Sequence, residues 1–139
     1  MQNIQFPNLP FPPGNFAAQI QDNSGAPANV LEASKPFKVE TKWDIVPEAA
    51  RLLGGVWTVS VYAESIGPGP EMHLGSETVP LNGGTNYSAT VTVPAGTLPN
   101  DPTPPASGIY KLVTVLTHRN FGKNSDVAGL VEGPVARIA

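Results

Sequence analysis

Acidic residues and histidines are the side chains of this chain that could carry acid–base chemistry. The 139 residues include 11 Asp and Glu and 2 His, but no Cys. Glu64 and Glu71 flank a Gly- and Pro-rich loop, and a pair of carboxylates across a cleft is what glycoside hydrolysis requires. His73 and His118 lie in strand-like runs without an accompanying Ser and Asp, so they do not indicate a catalytic triad. Because such a carboxylate pair arises by chance in many β-proteins, the sequence predicts that the chain is not an enzyme.

Oxygen ligands for a metal ion are concentrated in residues 120–126. This segment has two Asn, one Ser and one Asp, whereas Ca²⁺ sites usually contain several carboxylates. The positive charges of Arg119 and Lys123 would repel a cation, so we interpret the segment as a polar turn. The glycine pairs Gly54-Gly55 and Gly83-Gly84 do not lead from a strand into a helix, as a phosphate-binding loop does. We therefore predict no metal and no cofactor.

Charge and hydropathy restrict the partners of the chain. The formal net charge is -3, and acidic and basic residues are mixed along the strand-like runs, so no basic stripe for nucleic acid is present. No stretch approaches the roughly 20 apolar residues of a membrane span. Residues 1–14 contain no basic residue and no long apolar run, which argues against a signal peptide. We predict a soluble protein of undetermined compartment that has no membrane span and does not bind nucleic acid.

The clearest structural signal is a run of four apolar residues that alternate with four charged ones, namely Phe37, Val39, Trp43 and Ile45 with Lys38, Glu40, Lys42 and Asp44. Such alternation produces a strand with one buried face and one solvated face. Several further strand-like runs follow, separated by Gly, Pro and Asn. Pro47, Glu48 and Gly54 instead predict one short helical turn near residues 47–53. We predict an all-β fold, an antiparallel β-sandwich of about seven to nine strands.

The N-terminal residues 1–15 differ in composition from the rest of the chain. Four prolines in this segment remove amide donors and favour an extended backbone. We therefore divide the chain into an extended, proline-rich arm over 1–15 and a single β-sandwich domain over 16–139. The arm also carries apolar side chains, which must pack on the domain itself or dock on a neighbour. Phe6, Leu9 and Phe11 are the candidate interaction residues.

Two connections carry strong turn signals. Asn82-Gly-Gly-Thr85 predicts a hairpin between the strands Met72–Leu81 and Asn86–Val93, because Asn and Gly accept positive φ. Residues 94–107 contain five prolines and predict a long, stiff connection, which Leu98 anchors to the core.

The segment Ser107-Gly-Ile-Tyr-Lys-Leu-Val-Thr-Val115 resembles the penultimate strand of an immunoglobulin-like sandwich, with Tyr110 as its corner tyrosine. Trp57 occupies the place of the core tryptophan of such domains, and the resemblance covers roughly residues 34 to 138. The cysteine pair of true immunoglobulin domains is absent, and Leu112 stands where the second cysteine would be. The resemblance implies architecture only, since this fold supports many functions.

Two classes of function remain. In the first, the chain is a non-enzymatic structural or interaction protein that acts through protein–protein contacts, with another protein or with copies of itself as a homo-oligomer. In the second, it is a binding module for carbohydrate or another small ligand, with exposed aromatic rings as the platform. Tyr62 and Phe121 are the candidate ligand-binding residues. Trp43 and Trp57 are in phase with core positions, so we predict that both are buried.

Overall fold

Nine β-strands and one short α-helix make up the part of the chain that the structure describes. The computed structural model describes residues 2–68, 71–100, 105 and 107–139. The all-β prediction, the number of strands and the helical turn are confirmed. The elements are β1 (Gln2–Gln5), β2 (Gly14–Gln21), β3 (Val30–Leu31), β4 (Phe37–Asp44), α1 (Pro47–Leu52), β5 (Val56–Ser65), β6 (Met72–Pro80), β7 (Asn86–Val93), β8 (Ile109–Asn120) and β9 (Lys123–Ile138).

The strands follow one hydrogen-bonded path in the order β6-β5-β8-β9-β1-β2-β4-β7. Neighbours on this path are antiparallel, and β3 pairs in parallel with β9. The two ends of the path lie close together. A Cβ atom built on Gly75 of β6 would lie 2.8 Å from Val91 Cγ1 on β7. The sheet is therefore nearly closed into a barrel. Alternating wet and dry faces are common to barrels and sandwiches, so the sequence pattern does not distinguish the two.

The predicted hairpin between β6 and β7 is wrong. β6 pairs with β5 and β7 pairs with β4, so the connection between them crosses from one end of the sheet to the other. The Leu81 amide donates to the Gly55 carbonyl over 3.0 Å, and the Ile45 amide donates to the Thr85 carbonyl over 2.9 Å. The Asn-Gly signal correctly indicates a turn, but a turn signal does not specify which strands pair.

Part of the proline-rich N-terminal segment belongs to the sheet. Its strand β1 lies between β2 and β9 and joins the half formed by β6, β5, β8 and β9 to the half formed by β2, β4 and β7. Ile4 is fully buried and stands opposite Gly14 on one side and Gly129 on the other. A Cβ atom at Gly129 would lie 3.3 Å from Ile4 Cγ1, and one at Gly14 would lie 3.2 Å from Ile4 Cδ1. The missing side chain at Gly129 leaves space for Ile4, whereas a Cβ atom at Gly14 would meet the Asp44 carbonyl oxygen before it met Ile4.

Aromatic rings from both halves of the sheet meet in the interior. Trp43 of β4 and Trp57 of β5 are buried, as predicted, and their ring centroids are 6.2 Å apart in an edge-to-face arrangement. Tyr87 of β7 stacks on Trp43 at 5.9 Å and contacts Trp57 at 6.0 Å. Trp43 and Tyr87 stand opposite each other on the neighbouring strands β4 and β7, so the cluster joins this pair to Trp57 on β5 in the other half of the sheet.

The long connection between β7 and β8 is anchored as the sequence predicts. Leu98 is buried in the core. The Tyr110 hydroxyl donates a hydrogen bond of 3.3 Å to the carbonyl of Pro99. Residues 101–104 and 106 of the predicted stiff connection lie outside the described residues.

The packing of Ile4 against Gly129 yields a test of the β1 position. Ile4→Ala removes a fully buried side chain and should lower the free energy of unfolding by about 2–5 kcal/mol. Gly129→Val should lower it by about 1–3 kcal/mol, because the added methyls meet Ile4 and Phe16. The double variant should lose less than the sum, because the valine enters the space vacated by Ile4. Urea unfolding followed by tryptophan fluorescence measures all three, and strictly additive losses would contradict the predicted contact.

Candidate functional site

The structure places the three interaction residues predicted from the arm in different environments. Phe6 is buried, and its ring meets that of Phe11 edge-on at 5.7 Å. Leu9 is 42% exposed in the turn between β1 and β2. The turn is closed by a 3.2 Å hydrogen bond from the Leu9 amide to the Phe6 carbonyl, with Asn8 at a φ of 61°. Phe6 is therefore occupied within its own domain, whereas Leu9 remains accessible to a partner.

Leu9 lies beside the residue that follows α1 and beside the β8–β9 hairpin. It lines a depression of about 420 Å³ together with Leu53, which follows α1, and with residues at the base of the β8–β9 hairpin. Leu52 is 75% exposed and Phe121 is 95% exposed. We refer to Leu9, Leu52, Leu53 and Phe121 as the apolar end. The sequence analysis did not identify Leu52 as a surface residue, because an apolar side chain in a short helix generally faces the core, as the partly buried Leu53 does.

A buried histidine fixes the elements of the apolar end to one another. His118 Nε2 lies 2.6 Å from the Gly54 carbonyl oxygen, and His118 Nδ1 lies 2.7 Å from Ser125 Oγ. A carbonyl oxygen only accepts, so Nε2–H of the imidazole donates to Gly54. The side chain thereby links the turn after α1 to Ser125 of β9.

Phe121 occupies the tip of the β8–β9 hairpin in an unusual conformation. Phe121 and Gly122 have φ values of 52° and 73°, and the flanking Asn120 and Lys123 pair across the hairpin. This is a two-residue type I′ turn, whose first position favours Asn, Asp or Gly. A bulky side chain there costs on the order of 1–2 kcal/mol, and an exposed ring gains no packing within the domain to offset that cost. The sequence identified Phe121 as an exposed aromatic residue, which is confirmed, but not its backbone strain.

A second candidate surface surrounds Tyr62 on the outer face of the sheet. Tyr62 of β5 is 41% exposed and pairs with His73 of β6, with the ring centroids 5.1 Å apart. His73 Nε2 is 2.8 Å from Ser76 Oγ, which is 2.9 Å from Ser60 Oγ. These rings and hydroxyls form a continuous polar row.

Glu64 and Glu71 lie beside the same row. Together with Tyr62 and His73 they line a depression of about 350 Å³, which we call the tyrosine depression. Glu64 forms an ion pair with Lys111 over 3.3 Å, with both side chains partly exposed. The strand register thus brings together residues that the sequence analysis considered for separate roles. Pairing of Tyr62 with His73 carries no sequence signal, because it depends on the irregular register of β5 and β6.

Two carboxyl groups elsewhere on the surface show a perturbed pKa. A hydrogen bond from the Ser24 hydroxyl is the main cause that lowers the pKa of Asp22. The ammonium of Lys42 beside Glu40, 3.2 Å away, is the main cause that lowers the pKa of that carboxyl, with a further hydrogen bond from Gln21. Both shifts favour the ionised form, the opposite of what a general acid needs at neutral pH.

Residues 2–68, 71–100, 105 and 107–139 contain no group of three or more His, Asp or Glu side chains placed to hold a metal ion. None of the helical structure in that part of the chain is long and apolar enough to cross a membrane.

Comparison with known proteins gives a likeness in fold alone. No protein-family model matches the chain, and no curated protein sequence matches it. The C-terminal domain of wzt superposes with a TM-score of 0.63 at 9% identity, covering 91% of this chain and 73% of that one. A beta-glucosidase from Listeria innocua in complex with isofagomine superposes with a TM-score of 0.52 at 12% identity, covering 90% of this chain and 16% of the enzyme. The b-glucosidase EmGH1 from Erythrobacter marinus gives 0.55 at 10% identity, covering 91% of this chain and 15% of the enzyme.

The strained backbone at Phe121 can be tested by measuring the stability of variants. Phe121→Asn should raise the free energy of unfolding by about 1 kcal/mol, because Asn tolerates the left-handed conformation. Phe121→Ala is the matched control, since it removes the exposed ring but keeps an unfavourable residue at positive φ. Urea unfolding measures the free energy of unfolding of both variants. Equal values for the two would show that the turn stores no such strain.

Proposed function

We propose that this chain is a non-enzymatic interaction module that binds another protein through the apolar end. The observation that supports this function best is the exposure of Phe121 at the tip of a turn that disfavours it. Strained conformations persist where the surrounding structure enforces them, and they are concentrated at binding and catalytic sites. A ring that contributes nothing to its own core is best explained by a contact with a partner.

The charged residues around Phe121 indicate what the partner surface contains. Arg119 and Lys123 flank the ring in sequence, and both are exposed, although the chain as a whole carries a formal net charge of -3. The hairpin tip is therefore locally cationic on an acidic protein. We infer a partner with an apolar pocket that receives the Phe121 ring and acidic residues around its rim, because complementary charge guides docking and an aromatic anchor supplies most of the affinity.

The remaining members of the apolar end favour docking of a preformed surface. Leu52 lies in a helix, Leu9 lies in a turn bordered by prolines, and Phe121 lies in a tight hairpin. Side chains on such restrained backbones lose little conformational entropy when they bind. This supports a stable protein contact over a transient encounter with a flexible loop.

Site-specific cross-linking tests the proposed contact. We expect a photoreactive phenylalanine analogue at position 121 to capture one defined protein from extracts of the cells that encode the chain. An excess of unlabelled wild-type chain should abolish that product, and an excess of the Phe121→Asn chain should not. The same analogue at position 62 is the matched control and should not give the product. A product that Phe121→Asn competes away as well as wild type would exclude the ring as the anchor.

A carbohydrate or other polyhydroxylated ligand at the tyrosine depression is the second candidate function. The exposed Tyr62 ring, with His73, Ser76 and two carboxylates beside it, offers a stacking face next to hydrogen-bonding groups. The beta-glucosidase from Listeria innocua has been solved in complex with glucose and in complex with laminaribiose. The superposition covers 19% and 16% of those chains. The support for a sugar-related role is that these enzymes contain a domain of this fold.

Ligand titration tests this alternative. Trp43 and Trp57 are buried, so the resonances of His73 are a better reporter than fluorescence. Addition of glucose or laminaribiose should shift the His73 ring signals in the wild-type chain. Tyr62→Phe should retain the response because it keeps a stacking face, whereas Tyr62→Ala should lose it. Signals that stay unchanged with either sugar at millimolar concentration would remove these two ligands from consideration.

The immunoglobulin-like arrangement remains part of our proposal for the architecture. The corner position suggested for Tyr110 is supported by the hydrogen bond from its hydroxyl to Pro99, upstream in the chain. The buried position of Trp57 in β5 supports it as well.

A further inference from the structure

The chain has two histidines, and each of them lies within hydrogen-bond distance of a serine hydroxyl. His118 Nδ1 lies 2.7 Å from Ser125 Oγ, and His73 Nε2 lies 2.8 Å from Ser76 Oγ. A serine beside an imidazole is the arrangement in which a general base activates a nucleophile, provided that a third group orients the base. The surroundings of the two histidines therefore decide which serine is a candidate nucleophile.

His118 is held in the orientation that a general base needs. It is 1% exposed, and its Nε2–H donates to the Gly54 carbonyl over 2.6 Å. In the neutral ring Nδ1 then carries no hydrogen, so the Ser125 hydroxyl donates its proton to Nδ1. The Val127 amide donates to Ser125 Oγ over 3.2 Å and keeps that oxygen beside the ring. The Gly54 carbonyl thus acts as the orienting third group.

His73 lacks this restraint, although its distance to a serine is nearly the same. The His73 side chain is exposed, and among the described residues no hydrogen bond holds its Nδ1 in place. Ser76 Oγ is shared with Ser60 Oγ, 2.9 Å away. The Ser76–His73 pair is therefore a control within the same chain for the effect of an oriented base.

Space for a substrate adjoins Ser125. Ser125 is exposed and lines the depression of about 420 Å³ next to Leu9 and Leu53. Three asparagines also line it, namely Asn8, Asn120 and Asn124. Side-chain amides of this kind donate to the oxyanion that forms during acyl transfer. The two leucines favour an apolar group in the same depression.

We propose that Ser125 is a nucleophile that accepts a short apolar acyl group from an ester or thioester, with His118 as its general base. A bond forms between Ser125 Oγ and the acyl carbon, and the bond from that carbon to the leaving oxygen or sulfur breaks. The hydroxyl proton passes to His118 Nδ1 and from there to the leaving group. The products are an acylated serine and a free alcohol or thiol.

The burial of His118 predicts that the acyl group stays on the chain. Its Nε2 is bonded to Gly54 and its ring is 1% exposed, so an acylated Ser125 covers the nitrogen that would activate water for hydrolysis. Acylation is thus a single modification of the chain and not a turnover reaction. It requires no partner protein, so it does not depend on the role proposed for the apolar end.

Labelling of the isolated wild-type chain with p-nitrophenyl hexanoate tests the nucleophile. We expect one hexanoyl group per chain, located at Ser125 by peptide mass spectrometry, while Ser76 stays unmodified. Ser125→Ala should lose this adduct. The absence of an adduct at Ser125, or equal labelling of Ser125 and Ser76, would overturn the proposal. Because no partner is present, neither outcome bears on the contact proposed for Phe121.

Cysteine variants test the role of His118 without removing its buried side chain. The chain has no cysteine of its own, so Ser125→Cys and Ser76→Cys each carry a single thiol on an exposed position. An oriented imidazole increases the thiolate fraction, so iodoacetamide at pH 6 should alkylate Ser125→Cys about tenfold faster than Ser76→Cys. Equal rates would show that His118 does not act as a base toward position 125.

A comparison of acyl chains tests the predicted substrate class. Wild type should react faster with p-nitrophenyl hexanoate than with p-nitrophenyl acetate, because the longer chain contacts the leucines of the depression. Leu9→Ser should reduce that ratio about tenfold, the effect of losing burial of roughly two methylenes. A ratio that is the same in both chains would overturn the assignment of an apolar acyl group.

Discussion

The contact between Trp43 and Trp57 is the interaction on which the rest of the structure depends. The two rings come from opposite halves of the sheet. Tyr87 extends the cluster onto β7, the last strand of the path, and His118 extends it toward the apolar end. Each indole N–H is buried without an acceptor among the described residues, at a cost of about 1–3 kcal/mol each. Burial of two large rings contributes more, since each removes about 150–250 Å² from water at about 25 cal/mol per Å². Hydrophobic packing therefore outweighs the unsatisfied donors and keeps the two halves together.

With the interior occupied by this cluster, the surfaces available for function lie outside the barrel. The tyrosine depression lies on the outer face of β5 and β6, and the apolar end lies where α1 and the β8–β9 hairpin meet. His118 connects the aromatic core to the apolar end, because it packs on Trp57 while it holds the turn after α1 to β9. The rigid core thus fixes the position of Phe121 and Leu52 without involving them in its own packing.

Much of the fold follows from the sequence, whereas the sites do so only in part. Alternation over β4 predicts its buried face, and Pro47 and Gly54 predict the helical turn, since both signals depend on neighbouring residues. The prediction of a β6–β7 hairpin was wrong because Gly83 and Gly84 specify a turn and not the pairing of strands. Tyr62 and Phe121 were identified as exposed aromatic residues, but their surroundings were not. His73 pairs with Tyr62 only through strand register, and the turn after α1 is bonded to His118 of β8 only through the chain crossing.

The sequence by itself determined the all-β class, the helical turn after β4 and the burial of both tryptophans. These properties arise from side-chain alternation and backbone preferences within a few residues of one another. Only the tertiary structure decided that the sheet is nearly closed, that Ile4 completes it between Gly14 and Gly129, and that Phe121 is held at positive φ at the tip of the β8–β9 hairpin. Those features depend on contacts between residues far apart in the chain, and local preference carries no information about which distant strands approach each other.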